Sequence, residues 1–304
     1  MIKESERIAL VPNSIESIYE KSEEIPPSVK MVGATDYWQQ GFTGRNVIVA
    51  VIDTGCQMDH PDLKSNIIAG KNFTPDDEGD IDNYQDYVFH GTHVAGIIAG
   101  TLNDEGIVGV APDAKLLILK AIPKTGQGSY DYLIKAINYA VSWRGAAGQR
   151  VRIITMSLGG SNDSVELHEA IKRAIQANIL VVCAAGNSGD NDLETDEFMY
   201  PGYYQEVVQV GAVDSDCLLA PFSNTNDQID IYAPGVSILS TIPKSRYAEM
   251  SGTSMSAPHV AGAAALLISK LEQFTSSEIT EAELFTALSH NTNDLGKLKI
   301  LKLK

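Results

Sequence analysis

The chain has 304 residues, 44% of them apolar, and a formal net charge of −16. That apolar share supports a sizeable core and excludes intrinsic disorder over most of the length. The acidic balance repels phosphate backbones and anionic membranes, so no nucleic acid and no membrane are expected as partners, and a hard cation such as calcium is favoured instead.

Three cysteines, Cys56, Cys183 and Cys217, cannot all pair within one chain and form no CxxC motif. This argues against a disulfide framework or a structural zinc site and for a reducing compartment. The first 25 residues are rich in charge and hold one short apolar run, Ile8 to Val11, too short for a secretory signal. No stretch approaches the roughly 18 apolar residues of a membrane span. A cytoplasmic location is expected for a chain that has lost no leader. The pair Pro26-Pro27 disfavours helix and marks a boundary. The expected division is a short N-terminal segment, residues 1–24, and one large domain, residues 25–304.

Beyond that boundary, apolar β-branched runs recur at 47–52, 116–122, 153–158, 179–184 and 207–213. Both faces of each run are apolar, which predicts strands buried on both sides. Helical patterns separate them. Residues 130–143 place Leu133, Ile134, Ile137, Tyr139 and Val141 near one stripe, and residues 167–177 align Leu167, Ala170, Ile171, Ala174 and Ile175. Ser164 is positioned to cap the second helix, with Leu167 where a capping box has Glu. A further apolar run, 260–268, and a helical pattern at 281–288 complete the series. Strand–helix alternation predicts an α/β fold with a mostly parallel sheet covered on both faces. Two acidic clusters, Asp76 to Asp86 and Asp190 to Glu197, read as solvated loops.

Three segments carry chemistry. The first strand ends in Asp53-Thr54-Gly55, at the end where open α/β sheets place their sites. His90-Gly91-Thr92-His93 puts two histidines three apart, but no HExxH or cysteine pair supplies further metal ligands. His90, beside a glycine at a helix start, suits general-base work, and His93 suits packing. Ser251-Gly252-Thr253-Ser254 leads into the apolar run, which sets Ser254 at a helix N-terminus. There the dipole and free N–H groups favour developing negative charge.

Asp53, His90 and Ser254, in that order and with those flanks, resemble the subtilisin-like serine proteases, whose chain order of the triad is known. Ala185–Gly189, Ser157–Gly160 and Tyr200–Gly202 extend the likeness over about residues 25–290, and the wider match looks most like the intracellular subtilisins of bacteria. The resemblance implies a three-layer fold and an endopeptidase acting on protein and peptide substrates. It implies Asp53, His90 and Ser254 as the triad and Asn187 as the oxyanion donor. Ser157, Leu158, Gly159 and Gly160 would line one side of the substrate, and Ala184, Ala185 and Gly186 the other wall of the pocket. Small walls suit a large apolar side chain before the cut. Met199 departs from the small residue often found at the pocket base, and Glu197 lies close by.

By the same resemblance Asp62, Thr101, Asn103, Glu105 and Ile107 match a structural Ca²⁺ site, and a weaker cation site falls near Gly202 and Tyr204. The N-terminal segment resembles the short inhibitory prosegment of intracellular subtilisins, with Leu10, Val11, Pro12 and Asn13 at its motif. Proline fixes the backbone there and removes an N–H. The expectation is a substrate-like segment held out of cutting register until cleavage near 19–24. The resemblance allows a homodimer, but the ending from Lys297 to Lys304 departs from the family and puts that geometry in question. Two other readings stand beside the protease. One is an inactive protease-like scaffold. The other is a nucleotide-binding α/β domain, which lacks GxGxxG and GxxxxGK[ST].

Overall fold

In the computed structural model, the described residues are 6–10, 14–21, 23–103 and 105–304. They begin with three short strands, β1 (Arg7–Leu10), β2 (Ser14–Tyr19) and β3 (Glu23–Glu24). Two short helices follow, α1 (Pro27–Met31) and α2 (Ala34–Gln39). Pro27 stands at the first helical position, where its missing N–H is no loss, so the double proline starts a helix as well as ending the segment.

The body then alternates. β4 (Ile48–Asp53) and β5 (Ile67–Asn72) precede α3 (His90–Ala99). β6 (Gly106–Ile107), β7 (Lys115–Lys120) and β8 (Gln127–Ser129) lead to α4 (Tyr130–Ser142), which Ser129 caps. β9 (Ile153–Met156) and β10 (Leu158–Gly159) lead to α5 (Val165–Gln176), where the Ser164 hydroxyl accepts the Leu167 N–H as expected. β11 (Leu180–Ala184), β12 (Val208–Val213), β13 (Ile229–Pro234), β14 (Ile238–Ile242) and β15 (Arg246–Ser251) follow. The chain closes with α6 (Thr253–Thr275), α7 (Glu281–His290), β16 (Thr292–Leu295) and β17 (Leu298–Leu301).

Nine strands form one sheet in the order β16-β17-β13-β12-β11-β9-β4-β7-β5, parallel except for β16. Its strands are apolar on both faces because both are covered. Val49, Val51, Ile118 and Val182 pack with α3 and α6, while Ile48, Ala50, Ile52, Leu119 and Val181 pack with α4 and α5. The result is the expected three-layer α/β architecture. The C-terminal residues form the β16–β17 hairpin at the sheet edge, and Leu303 N–H reaches the Val32 carbonyl, which ties the two ends of the body together.

The acidic loop departs from expectation. Asp76 and Asp86 are buried, at 5% and 2% exposure, although their neighbours Asp80 and Asp82 are exposed. Asp76 balances the buried Lys120 at 3.2 Å and accepts the Lys124 N–H. Burial with partners, not solvation, explains these two charges.

Candidate active site

The C-terminal ends of the parallel strands bring the three chemistry-bearing segments together. Asp53 ends β4 and His90 opens α3. Their side chains meet at 2.7 Å, Asp53 Oδ1 to His90 Nδ1, and both are 1% exposed. Gly91 lets α3 approach this closely: a Cβ there would stand 3.1 Å from Thr54 Oγ1 and 3.2 Å from Asp53 Cβ. An imidazole whose Nδ1 faces a buried carboxylate keeps its Nε2 for a proton from elsewhere. That Nε2 is buried without a hydrogen-bond partner among the described residues.

Ser254 is the second residue of α6 and fully buried. Pro258 lies four residues on and has no N–H to return to the Ser254 carbonyl. Ser157 Oγ donates to that carbonyl instead, at 2.8 Å. Ser254 Oγ in turn faces the Ser157 carbonyl at 3.3 Å rather than His90. The structure thus joins Asp53 to His90 and seats Ser254 against Ser157. Asn187 Oδ1 accepts both the N–H and the hydroxyl of Thr253, each at 2.9 Å, which anchors this carboxamide one residue before Ser254.

Of the two expected substrate walls, residues 158–159 lie beside β1, and β8 rather than residues 184–186 flanks its other edge. β1 runs antiparallel between β10 and β8, with Ala9 opposite Gly159, Leu10 opposite Leu158, and Ile8 opposite Gly128. Ile8 is 1% exposed and packs among Ile122, Tyr130, Leu133 and Leu158. Glycine makes room for the strand: a Cβ at Gly160 would meet the Arg7 carbonyl oxygen at 2.6 Å. Val11, Pro12 and Asn13 lie outside the described residues. Beyond them β2 pairs antiparallel with β15, and Glu16 is hydrogen-bonded to Ser237 and Ser251. Ala184 ends β11, and Ala185 and Gly186 follow it. Met199 lies against Gly159, where a Cβ would meet its Cγ at 2.6 Å, and packs on the cluster that contains Ala184.

His93 and His259 behave as core. His93 Nε2 lies 3.0 Å from the Ala248 carbonyl, and burial pushes the ring down to about 3. Burial likewise pushes His259 down to about 4. Burial also pushes up the Cys56 thiol, next to Asp86 and Asp53, so it stays protonated and unreactive.

At the expected cation site, Asp62 is fully buried. Its Oδ2 accepts the Ile107 N–H at 3.0 Å, and its carbonyl accepts the N–H and hydroxyl of Thr101. Oδ1 is buried with no hydrogen-bond partner among the described residues. Burial and the Asp62 charge push the nearby Tyr247 phenol up. The unpartnered Asp62 Oδ1 is one oxygen of the kind a hard cation takes, but no group of three or more acidic, His or Cys side chains gathers there among the described residues. Asn103 Oδ1 accepts the Glu105 N–H, and both residues are exposed. Near the second site, the Tyr204 hydroxyl is committed to Asp163 and Ser164.

Residues 44–301 match the model of the subtilase family, peptidase S8. The chain belongs to that family and is a serine protease. It is 50% identical over 290 residues to the intracellular serine protease of Paenibacillus polymyxa, covering 95% of this chain and 87% of that one. It is 49% identical over 279 residues to the major intracellular serine protease of Bacillus subtilis, covering 91% and 86%. Subtilisin E of Bacillus subtilis is 41% identical over 263 residues, covering 86% of this chain and 66% of that protein. No helix among the described residues is long and apolar enough to cross a membrane.

The sequence singled out Asp53, His90, Ser254 and Asn187 as candidates and gave no role to Thr54, Asp86, Lys120 or Thr253, which form the hydrogen bonds around them. Asp86 read as one more charge in an acidic run, and nothing local announced that its partners come from 54 and 92.

Proposed function

We propose that the chain is an intracellular serine endopeptidase that cuts extended peptides through Asp53, His90 and Ser254, and that residues 1–24 hold it inactive until they are cut. The observation that carries the catalytic part is the buried 2.7 Å pair of Asp53 and His90. Asp53 fixes the imidazole tautomer and stabilises the imidazolium. A turn about the Ser254 side chain, away from the Ser157 carbonyl, brings Oγ to the unpartnered His90 Nε2. His90 takes the hydroxyl proton as Oγ attacks the peptide carbonyl, and later gives it to the leaving amine. The Ser254 N–H at the start of α6 and the Asn187 carboxamide receive the oxyanion. Water then releases the acyl group.

The inhibitory part is supported by β1, which is paired along both edges, with β10 and with β8, as an extended substrate could be. Main-chain pairing gives affinity with little sequence choice. The apolar seat of Ile8 supports an apolar preference, and Met199 must move to admit a large side chain beside Gly159. Calcium, when bound, would be held by Asp62 with carbonyls of the 101–107 loop and would add stability there.

A serine-directed organophosphate tests the catalytic reading in protein freed of its N-terminal segment. Labelling of Ser254, lost in Ser254→Ala, is expected, and an unlabelled protein overturns it. A chain beginning at Glu24 tests the inhibition: activity no higher than that of the full chain overturns that part alone.

A further inference from the structure

A second buried carboxylate stands behind the Asp53–His90 pair, unused by the reaction above. Asp86 Oδ1 accepts the Thr54 hydroxyl at 2.9 Å and the N–H groups of Val88 and Phe89 at 2.8 and 3.1 Å. Its Oδ2 accepts the N–H and hydroxyl of Thr92 at 2.9 and 2.7 Å. Four of these five donors, on Val88, Phe89 and Thr92, bracket His90 in sequence. Phe89, at φ 81, offers α3 no side-chain cap, so Asp86 supplies the acceptor that the first turn lacks.

Thr54 carries the connection to the other partner. Its N–H reaches Asp53 Oδ1 at 2.7 Å, and its hydroxyl oxygen accepts the Gly91 N–H at 2.8 Å. Its carbonyl accepts from Lys120 Nζ at 2.7 Å, and the Thr92 hydroxyl oxygen accepts the Gln57 N–H at 3.1 Å. The Thr54 branch from Asp86 therefore ends at Asp53 and at Gly91, the residue after His90, while Thr92 holds the first turn of α3 two residues beyond His90.

We propose that Asp86 is a positioning residue that, through Thr54 and Thr92, fixes the orientation of His90 against Asp53. The inference rests on the catalytic reading above. A carboxylate is required because both oxygens face only donors. An asparagine, whichever way it turned, would set its NH₂ against two or three of them.

The test compares Asp86→Asn, Thr54→Val and Thr54→Ser with the wild-type full chain, each activated by cutting away the N-terminal segment. The readouts are kcat and KM on an extended apolar peptide anilide, the rate of organophosphate labelling of Ser254, and the pH profile. Asp86→Asn and Thr54→Val are expected to lose about 10- to 100-fold in kcat and in labelling rate with KM little changed, as for small misplacements of reacting groups. The acid limb of the pH profile is expected to move. Thr54→Ser, which keeps the hydroxyl, should restore most of the rate. Wild-type kcat in Asp86→Asn, or equal loss in Thr54→Ser and Thr54→Val, overturns the proposal. If Asp86→Asn fails to fold, the Thr54 pair decides it. A wild-type protein that is not labelled overturns the catalytic reading as well, whereas a labelled wild type with an equally reactive Asp86→Asn overturns this inference alone.

Discussion

Asn187 and Thr253 are joined twice through one atom: the backbone N–H and the hydroxyl of Thr253 both donate to Asn187 Oδ1. The Thr253 hydroxyl also accepts the Gly186 N–H, so the Asn187 side chain and the turn before Ser254 are tied together. Asn187→Ala is expected to lower kcat by about 10²–10³, the figure known for such a donor in this family, while leaving KM within a few-fold. Steady-state kinetics on a short peptide substrate check it. A loss confined to KM would contradict the assigned role.

The N-terminal strand should be weakened at Ile8 without touching the mature enzyme. Ile8→Ala removes a fully buried side chain from the cleft wall, a loss of about 2 kcal/mol or more. Uncut Ile8→Ala protein is expected to show at least about tenfold more activity than uncut wild type. The check is a rate measurement with mass spectrometry to confirm that residues 1–24 are still attached.

Calcium should matter most for stability. A chelator is expected to lower the melting temperature of the wild type, and Asp62→Asn should show a much smaller chelator effect, because ligand that binds only the native state raises its stability. Differential scanning calorimetry with and without added calcium decides it.

The buried histidines set an acid limit. His93 and His259 are held neutral, at about 3 and about 4, below the value of an unfolded histidine. Between those values and about 6.5 the unfolded chain binds the extra protons, so stability falls as pH falls. Asp230 acts in the opposite sense, since burial pushes its carboxyl up to about 6 and the native state holds the proton there. From about pH 6.5 to about pH 5 the two histidines remove roughly 3 kcal/mol and Asp230 returns about 1. Urea midpoints should drop over that range, and His259→Gln should flatten the slope.

Much of this was legible in the chain because the central strands are apolar on both faces. Val49 and Ile48 point to opposite layers, and only a covered parallel sheet makes both comfortable. The site segments were legible because each sits at a strand end or a helix start. The outer strands were not: β13 contains Asp230, and β2 contains Glu16, whose partners, the Gln209 N–H in one case and Ser237 and Ser251 in the other, are distant in sequence. The seat of Ile8 was hidden for the same reason, since the run from Ile8 to Val11 is too short to show which face is buried.

β1 is bonded along both edges, by β8 on one side and β10 on the other. A groove of that shape accepts only a segment with both of its own edges unpaired. Strands already in a sheet and turns of helix are excluded before any side chain is inspected. On the proposed function the groove is therefore a sensor of unfoldedness, which would spare compact proteins and take loosened chains.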